Sequence, residues 1–157
     1  MPELEDMRQF AARLIERRNR AALLLTPDLP GQQAYAARLA GALNAMHFDA
    51  LSRFQEDETL LSRLSYFSSD DLLALIAEQR DHRLVVVSGI EFLLAAWISQ
   101  GEPKQVKHSL CQKIELWVAD PAFILVTHED PVFASYQPER HRGSRVVLHT
   151  YQTLALE

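Results

Sequence analysis

Residues 21–33, with the sequence AALLLTPDLPGQQ, decide the fold, because they join an apolar run to a helix through a short loop. The run at residues 21–25 is wholly apolar, follows the charged Arg20 and is broken by a Thr-Pro-Asp sequence. Its length and its flanks favour a buried strand. Residues 32–46 then place apolar side chains at helical spacing, namely Ala36, Leu39, Ala40 and Leu43. We therefore predict a strand, a tight loop and a helix in direct succession.

The same alternation continues along the chain. We predict helices at about residues 3–19, 32–46, 72–80, 90–99 and 104–119, a partly helical segment after Ser52, and strands at residues 21–25, 47–51, 84–87, 122–127 and 145–150. Helices that alternate with β-branched strands imply a single α/β domain over residues 1–157. We expect a three-layer sandwich around a mostly parallel five-stranded sheet. Such sheets bind ligands at the carboxyl ends of their strands.

The composition restricts the function classes. The chain has 157 residues with 16 Lys and Arg against 21 Asp and Glu, which gives a formal net charge of −5. This balance argues against bulk electrostatic attraction to nucleic acid but not against a local basic patch. The single cysteine, Cys111, excludes an intramolecular disulfide and a cysteine-based metal cluster. Because the start is polar and no apolar run reaches the roughly 20 residues that span a bilayer, we expect a cytoplasmic protein that makes no membrane contact.

The loop after the first predicted strand has the frame of a phosphate-binding P-loop, whose pattern is G-x-x-x-x-G-K-[ST]. Aligned with that pattern, Thr26 stands at the first glycine and Gly31 at the second, while Gln32 replaces the lysine and Gln33 the Ser/Thr. Gln32 is neutral and cannot supply the lysine's charge to the phosphates, and Gln33 lacks the hydroxyl that binds magnesium. The alternative is a plain strand-to-helix turn whose geometry is set by Pro30 and Gly31.

Residues 84–91, LVVVSGIE, have the form of a Walker B segment, in which an apolar strand ends in an acid. Ser88 stands where the magnesium-binding aspartate is expected. Glu91 follows three residues later, and a rotated helix start would bring it near the site. The alternative is that Glu91 is a first-turn acid favoured by the helix dipole. The fourth predicted strand ends in a polar sequence, Thr127, His128, Glu129 and Asp130.

In this order, the segments resemble the P-loop NTPase superfamily of the RecA and AAA kind, whose members keep a sensor residue at the end of that fourth strand. The layout is most similar to the BrxF family of small P-loop proteins in BREX phage-defence systems, through the leading helix and residues 21–33, 52–64 and 84–94. The resemblance implies a RecA/AAA-like P-loop fold in a nucleotide-binding component of a multi-protein defence assembly that acts on foreign DNA. It places a degenerate nucleotide site at Thr26, Gly31, Gln32, Gln33, Ser88 and Glu91. The combined loss of lysine, hydroxyl and acid argues against hydrolysis.

Two further groups of residues bear on function. The histidines and acids show no standard zinc spacing, so we expect no metal site, and Cys111 is expected to be a small packed side chain. Arg140, Arg142 and Arg145 precede the last predicted strand. Such arginines can contact a neighbouring subunit's nucleotide or a DNA phosphate, and the alternative is a solvated loop.

Three hypotheses follow for the function. The first is a non-catalytic P-loop-like subunit without a cofactor, which contacts an ATPase or a DNA-acting subunit of the same bacterial system, or further copies of itself. The second is a nucleotide-binding switch or weak ATPase that uses ATP with Mg²⁺ in an unusual site. The third is a DNA-binding adaptor that uses the arginines of residues 140–145.

Overall fold

The computed structural model describes residues 6–27, 30–136 and 146–150. Five strands are present in this part of the chain: β1 (Ala21–Thr26), β2 (Met46–Asp49), β3 (Leu84–Ser88), β4 (Ala122–His128) and β5 (Val147–His149). All pairs are parallel, and the strands form one sheet in the order β2-β3-β4-β1-β5. The predicted α/β class and five-stranded parallel sheet are thereby confirmed.

Helices cover both faces of the sheet. They are α1 (Met7–Glu16), α2 (Gln32–Ala42), α3 (Ala50–Glu56), α4 (Glu58–Ser62), α5 (Ser69–Ala77), α6 (Glu91–Ile98), α7 (Pro103–Glu115) and α8 (Pro131–Ala134), with a 3-10 turn at Leu64–Tyr66. The buried side chains of α1 and α2 pack on one face, and those of α3 to α8 pack on the other. The result is the predicted three-layer sandwich. None of the described helices is long and apolar enough to cross a membrane.

Burial on both faces explains the unbroken apolar run of β1. All six residues of this strand are buried. Leu23 and Leu25 belong to the core under α3 to α8, whereas Ala22 and Leu24 belong to the core under α1 and α2. A strand with one solvated face would instead alternate apolar and polar residues. The position of β1 between β4 and β5 therefore accounts for its composition.

The chain connections that leave the neighbouring strands β1 and β4 run in opposite directions across the sheet. The chain leaves β1 towards β2 at one edge, and it leaves the neighbouring β4 towards β5 at the other edge. Such a reversal opens a crevice outside the carboxyl ends of the two strands, and α/β proteins bind ligands there. Thr26 and His128 are register partners at these ends. The P-loop-like frame thus begins at this reversal point.

Most helices in the described residues begin with a side chain that caps the first turn. Carboxylates of Asp6, Asp49, Asp57, Glu102 and Asp130 accept hydrogen bonds from backbone N–H groups at the starts of α1, α3, α4, α7 and α8. These contacts satisfy donors that the helix itself leaves unpaired. In contrast, α2 and α6 have Gly31 and Ile90 at their N-cap positions and no side-chain cap. These two helices follow the P-loop-like and Walker-B-like strands.

Several predicted element ends are wrong. Helix α1 ends at Glu16 rather than residue 19, and α5 spans Ser69–Ala77 rather than residues 72–80. Helix α2 ends at Ala42 rather than residue 46, because Asn44 adopts a positive φ of 53° and residues 46–49 pair with β3. Helix α7 ends at Glu115 rather than residue 119, so Trp117 and Val118 lie beyond it. The predicted strand at residues 47–51 ends at Asp49, whose side chain starts α3.

The physical reason for the early end of α7 is tertiary contact. The Trp117 indole donates to the Pro121 carbonyl at 2.9 Å, and the Trp117 carbonyl accepts from Arg20 N at 3.1 Å. The Trp117 ring also packs edge-on against Phe123 of β4, with the ring centroids 5.2 Å apart. These contacts hold the segment before β4 out of the helix. Periodicity alone does not reveal them.

Candidate functional site

Gln32, at the position of the P-loop lysine, is a buried residue. It is the first residue of α2, and its side chain is 3% exposed. Its Oε1 accepts a long hydrogen bond of 3.5 Å from Gly89 N, just after β3. Among the described residues, its Nε2 is buried without a hydrogen-bond partner. The side chain therefore points inward to the Walker-B-like segment.

Ser88 is fully buried at the carboxyl end of β3. Its Oγ lies 2.7 Å from Nε2 of His47 on the neighbouring β2. Burial lowers the pKa of His47, and the nearby Asp49 carboxylate opposes that shift. A neutral imidazole and a neutral hydroxyl therefore meet where a Walker B aspartate would hold magnesium.

Asp49 ends β2 and binds to the other P-loop-like glutamine. Gln33 Nε2 donates to Asp49 Oδ2, and the same carboxylate caps α3 and accepts from Ser52 Oγ at 3.0 Å. Gly89 lies directly beside this carboxylate with a φ of 71°. A Cβ at residue 89 would overlap Asp49 Oδ1, so the approach of β2 to β3 at this point requires glycine.

Glu91 starts α6 and turns towards β4. Its Oε2 accepts from Thr127 Oγ1 at 3.3 Å, and Thr127 is fully buried at the end of that strand. Burial raises the pKa of Glu91, while the nearby Gln32 amide and the Thr127 hydroxyl oppose the shift. The carboxyl thus lies close to the Gln32 amide, although Gln32 Nε2 has no partner that meets hydrogen-bond geometry in the described part of the chain. Glu91 is an acid in the first turn of α6, which is the alternative from the sequence analysis, and its carboxyl also lies near Thr127 and Gln32.

The residues around Gln32 enclose a cleft of about 270 Å³ that we call the Gln32 cleft. It is lined by Pro30, Gln32, Gln33, Asp49, Leu51, Gly89, Glu91 and Phe92. The lining contains two carboxylates and neither lysine nor arginine among the described residues. Clefts that hold small molecules typically measure about 300–1,000 Å³. The Gln32 cleft is thus acidic and slightly below that range.

A second cleft of about 210 Å³ lies on the other side of Gln32. It is lined by Thr26, Pro27, Gly31, Gln32, Tyr35, Arg38 and Thr150. Thr26 is buried, and its Oγ1 donates to the Thr127 carbonyl at 3.4 Å. Arg38 is exposed and lies two turns into α2. This cleft, which we call the Arg38 cleft, brings a cation close to the start of α2.

The six candidate residues that the sequence analysis assigned to a degenerate site are divided between the two clefts. Gln32 lines both, Thr26 and Gly31 line the Arg38 cleft, Gln33 and Glu91 line the Gln32 cleft, and Ser88 lines neither but contacts His47 at the end of β3. Sequence reasoning missed Asp49 and His47, which line or support the same place. The signal that could have found Asp49 is an acid at the end of a short strand, placed to cap the next helix. Arg140, Arg142 and Arg145 lie outside the described residues.

Two other side-chain groups bear on chemistry. In the described parts of the chain, no group of three or more His, Cys, Asp and Glu side chains is arranged to hold a metal ion. Cys111 is fully buried in α7, and burial raises the pKa of its thiol to about 12. A thiol with that pKa stays protonated at neutral pH and is a poor nucleophile. Cys111 is therefore the packed residue that the sequence predicts.

Comparison with known proteins gives no assignment. No protein-family model matches the chain, and no curated protein matches it significantly.

Proposed function

We propose that the chain is a non-catalytic P-loop-like subunit that acts through protein–protein contacts in a larger bacterial assembly. The observation that carries the proposal is the chemistry at Gln32, Gln33 and Ser88. Each stands where nucleotide chemistry needs a cation or a magnesium ligand, and each is neutral. Gln33 and Ser88 are in addition bound to Asp49 and His47. A fold that has lost these groups can persist as an interaction scaffold.

The charge of the Gln32 cleft supports this proposal. A nucleoside triphosphate would bring several negative charges close to Asp49 and Glu91, which both line the cleft. Like charges repel strongly where water is excluded, because the effective dielectric constant is low. No lysine or arginine among the described residues lines the cleft to offset this repulsion. The cleft is therefore unfavourable for phosphate.

The arrangement of the sheet is compatible with a RecA-like fold. Strand β4 lies between β1 and β3, so Thr127 stands between the P-loop-like loop and Ser88. The resemblance to RecA and AAA proteins leads us to expect a sensor residue at the end of this strand. In this chain the Thr127 hydroxyl donates to Glu91. We propose that this bond now fixes α6 on the sheet.

We propose that the partner is an ATPase or a DNA-acting subunit of the same system, as the resemblance to phage-defence proteins implies. The surface offers apolar side chains for such contacts. Tyr66 is 70% exposed and Leu61 is 51% exposed, on the 3-10 turn and α4. Aromatic residues are enriched in protein interfaces relative to the rest of the surface.

The second candidate is a nucleotide-binding switch, and the Arg38 cleft favours it. Arg38 supplies a positive charge near the uncapped start of α2, and a helix start attracts anions. In this alternative a phosphate would lie on the Arg38 side of Gln32, away from Asp49 and Glu91. Substitution Arg38→Gln would then abolish nucleotide binding.

A thermal-shift titration of the full chain with ATP and Mg²⁺ separates the two candidates. A ligand at 100 times its Kd stabilises a protein by about 2.7 kcal/mol. We expect the melting temperature to stay unchanged at millimolar ATP. A saturable rise that Arg38→Gln removes, and that the exposed control Arg80→Gln retains, would overturn the proposal and establish the switch.

A further inference from the structure

The end of α1 and the loop that leads to β1 are rich in arginine. Residues 13–20 contain four arginines and one acid, Glu16, although the whole chain has a formal net charge of −5. Arg20 is paired with Asp120 at 2.6 Å. In contrast, Arg17 and Arg18 form no ion pair with a carboxylate of the described residues. This segment therefore has an excess of positive charge.

The guanidinium of Arg17 is held in place by neutral groups. Its Cζ lies 5.9 Å from the centre of the Phe10 ring, and its Nε donates to the Asn19 carbonyl at 3.3 Å. Burial lowers the pKa of Arg17, and the neighbouring Arg13 lowers it further. The contacts with Phe10 and Asn19 leave the terminal N–H groups of Arg17 for other acceptors, and these groups have the fork geometry that matches a carboxylate.

A second segment lies beside these arginines, namely residues 116–118, which follow α7. The Asn19 side-chain amide donates to the Glu115 carbonyl at 2.9 Å. The Arg20 backbone N–H donates to the Trp117 carbonyl at 3.1 Å. Because of these two bonds, the end of α7 and the start of β1 form one continuous surface.

This surface also exposes apolar side chains. Leu116 is 44% exposed and Val118 is 51% exposed. Arginine beside exposed apolar groups is typical of protein interfaces, in which arginine is enriched. The surface lies where β1 and β4 begin, at the opposite edge of the sheet from the two clefts around Gln32. We call it the Arg17 patch, and it consists of Arg17, Arg18, Arg20, Leu116 and Val118.

We infer that the Arg17 patch binds a segment of a partner protein in which acidic side chains alternate with apolar ones. The inference rests on the proposed function, because it assumes a protein partner, but it uses a different surface from the two clefts. Carboxylates of the partner accept hydrogen bonds from Arg17 and Arg18, and the apolar side chains pack on Leu116 and Val118.

Nucleic acid fits the Arg17 patch less well than an acidic protein segment. Contacts to a phosphate backbone make no use of exposed leucine and valine side chains. The net charge of −5 on the whole chain also opposes the approach of a long polyanion. A short acidic segment needs only the local excess of positive charge.

The test is a titration of the isotope-labelled full chain with the capped peptide EELEELE, followed by NMR. The matched ligand is QQLQQLQ, which keeps the leucines and removes the charge. We expect the acidic peptide to shift the Arg17 Nε–H and the Leu116 and Val118 backbone N–H resonances with saturation, and to bind more weakly as salt is raised. We expect the neutral peptide to bind at least about tenfold more weakly. Equal binding of the two peptides, or no saturable shift with the acidic one, would overturn the inference.

Substitutions of arginine test the charged half of the patch. Arg17→Gln should weaken binding of the acidic peptide by about tenfold, and Arg17→Lys, which keeps the charge but not the fork, by about threefold. The matched control is Arg53→Gln, because Arg53 of α3 also lies over a phenylalanine, with its Cζ 5.3 Å from the ring centre of Phe48. That variant should bind like the parent protein. Unchanged affinity in Arg17→Gln would contradict the inference.

The apolar half of the patch is tested by Leu116→Gln. We expect this variant to bind the acidic peptide about threefold more weakly, because the peptide loses apolar contact area. Leu61→Gln is the control, since Leu61 is 51% exposed on α4 and lies outside the patch. Equal affinities of the two variants would contradict the part of Leu116.

Parallel titrations with a DNA duplex and with ATP plus Mg²⁺ separate the possible failures. Saturable shifts of the same resonances by DNA, with no response to the acidic peptide, would identify a nucleic-acid surface and overturn the inference. Binding of ATP at the clefts around Gln32 would overturn the proposed function. Silence with ATP combined with silence with the acidic peptide would leave the proposed function standing and remove this inference.

Discussion

At the scale of a single residue, Gly89 determines how closely the end of β2 approaches the end of β3. Its φ of 71° is in the left-handed region, and a Cβ at this position would overlap the Asp49 carboxylate. Both conditions exclude a side chain, the first through backbone strain and the second through overlap. Gly89 also donates its N–H to Gln32. One residue thus sets the spacing between Asp49 and the Walker-B-like segment.

Substitution Gly89→Ala should lower the free energy of unfolding by about 1–3 kcal/mol, because it adds backbone strain and a collision. The matched control is Gly41→Ala in α2, where an added Cβ meets nothing within 4 Å. That change should raise the free energy of unfolding by about 0.4–1 kcal/mol. Urea denaturation measures both. Equal effects of the two substitutions would contradict the assignment of Gly89.

Glu91 should make stability depend on pH in a definite direction. Burial raises its folded pKa above the ordinary 4.5, so the folded state holds the proton more tightly than the unfolded state. Its contribution to stability is therefore present below pH 4.5 and is lost as the pH rises through the folded pKa.

Glu91→Gln should remove this loss and flatten the melting temperature against pH above 4.5. At neutral pH the variant should be at least as stable as the parent protein. Melting curves of both proteins over a pH series check this. If the melting temperatures of the two proteins change with pH in parallel, or if the variant is less stable at neutral pH, burial of the Glu91 charge does not destabilise the folded state.

Individual residues differ in how far the sequence predicts them. Aligning the P-loop pattern locates Gln32 and Gln33, because the pattern has fixed spacing. Asp49 and His47 come from β2, which the chain brings next to β3 by a crossover, so no local pattern assigns them to the site. The hydrogen bond of Glu91 to Thr127 likewise joins residues 36 positions apart.

At the scale of elements, the helices on the α3-to-α8 face depend on their caps. Helix α5 shows the clearest case, because Ser68 and Asp71 form a reciprocal capping box. Ser68 Oγ accepts from Asp71 N at 3.2 Å, and Asp71 Oδ2 accepts from Ser68 N at 2.8 Å. The second of these bonds lowers the pKa of Asp71. Capping chemistry is local, so the Ser-Ser-Asp-Asp run at residues 68–71 carries the signal for this start, although the predicted helix began at residue 72.

Ser68→Ala should therefore lower the free energy of unfolding by about 0.5–2 kcal/mol through loss of the cap. Ser65→Ala, an exposed serine in the preceding 3-10 turn, is the control and should change it by less than about 0.5 kcal/mol. Chemical denaturation under the same conditions compares the two. If both substitutions lower the free energy of unfolding by the same amount, the capping box contributes nothing to stability.

Sequence analysis does not predict where a helix or strand ends when tertiary contacts determine that end. The stop of α2 before residue 46 follows from the left-handed Asn44 and the pairing of β2, and the stop of α7 follows from the contacts of Trp117. Short helices such as α4 and α8 span one turn and show no periodicity to detect. Long periodic segments, by contrast, were predicted in the correct order.

At the scale of the whole molecule, Cys111 reports on the integrity of the fold. It is fully buried under the sheet in α7, and its thiol has a pKa of about 12. A disulfide reagent should therefore label it only when the molecule opens, whereas urea-unfolded chain should react at once. The labelling rate in native buffer measures this. Rapid labelling of the native protein would contradict the packing of α7.

The order of the strands is the feature of the whole molecule that sequence could not supply. Apolar runs predict how many strands exist and that most are parallel, but nothing local states that β4 lies between β1 and β3. That order decides the site, because it places the Thr127 hydroxyl within reach of Glu91, whose carboxyl lies near Gln32.

The most direct test of the central claim is a site-resolved titration with ATP and Mg²⁺ that follows the Gly89 N–H and the Gln32 side-chain amide by NMR. We predict that neither resonance moves at millimolar nucleotide, because two carboxylates and no lysine or arginine line the cleft among the described residues. A saturable shift of both resonances would contradict the account and show that the cleft binds phosphate.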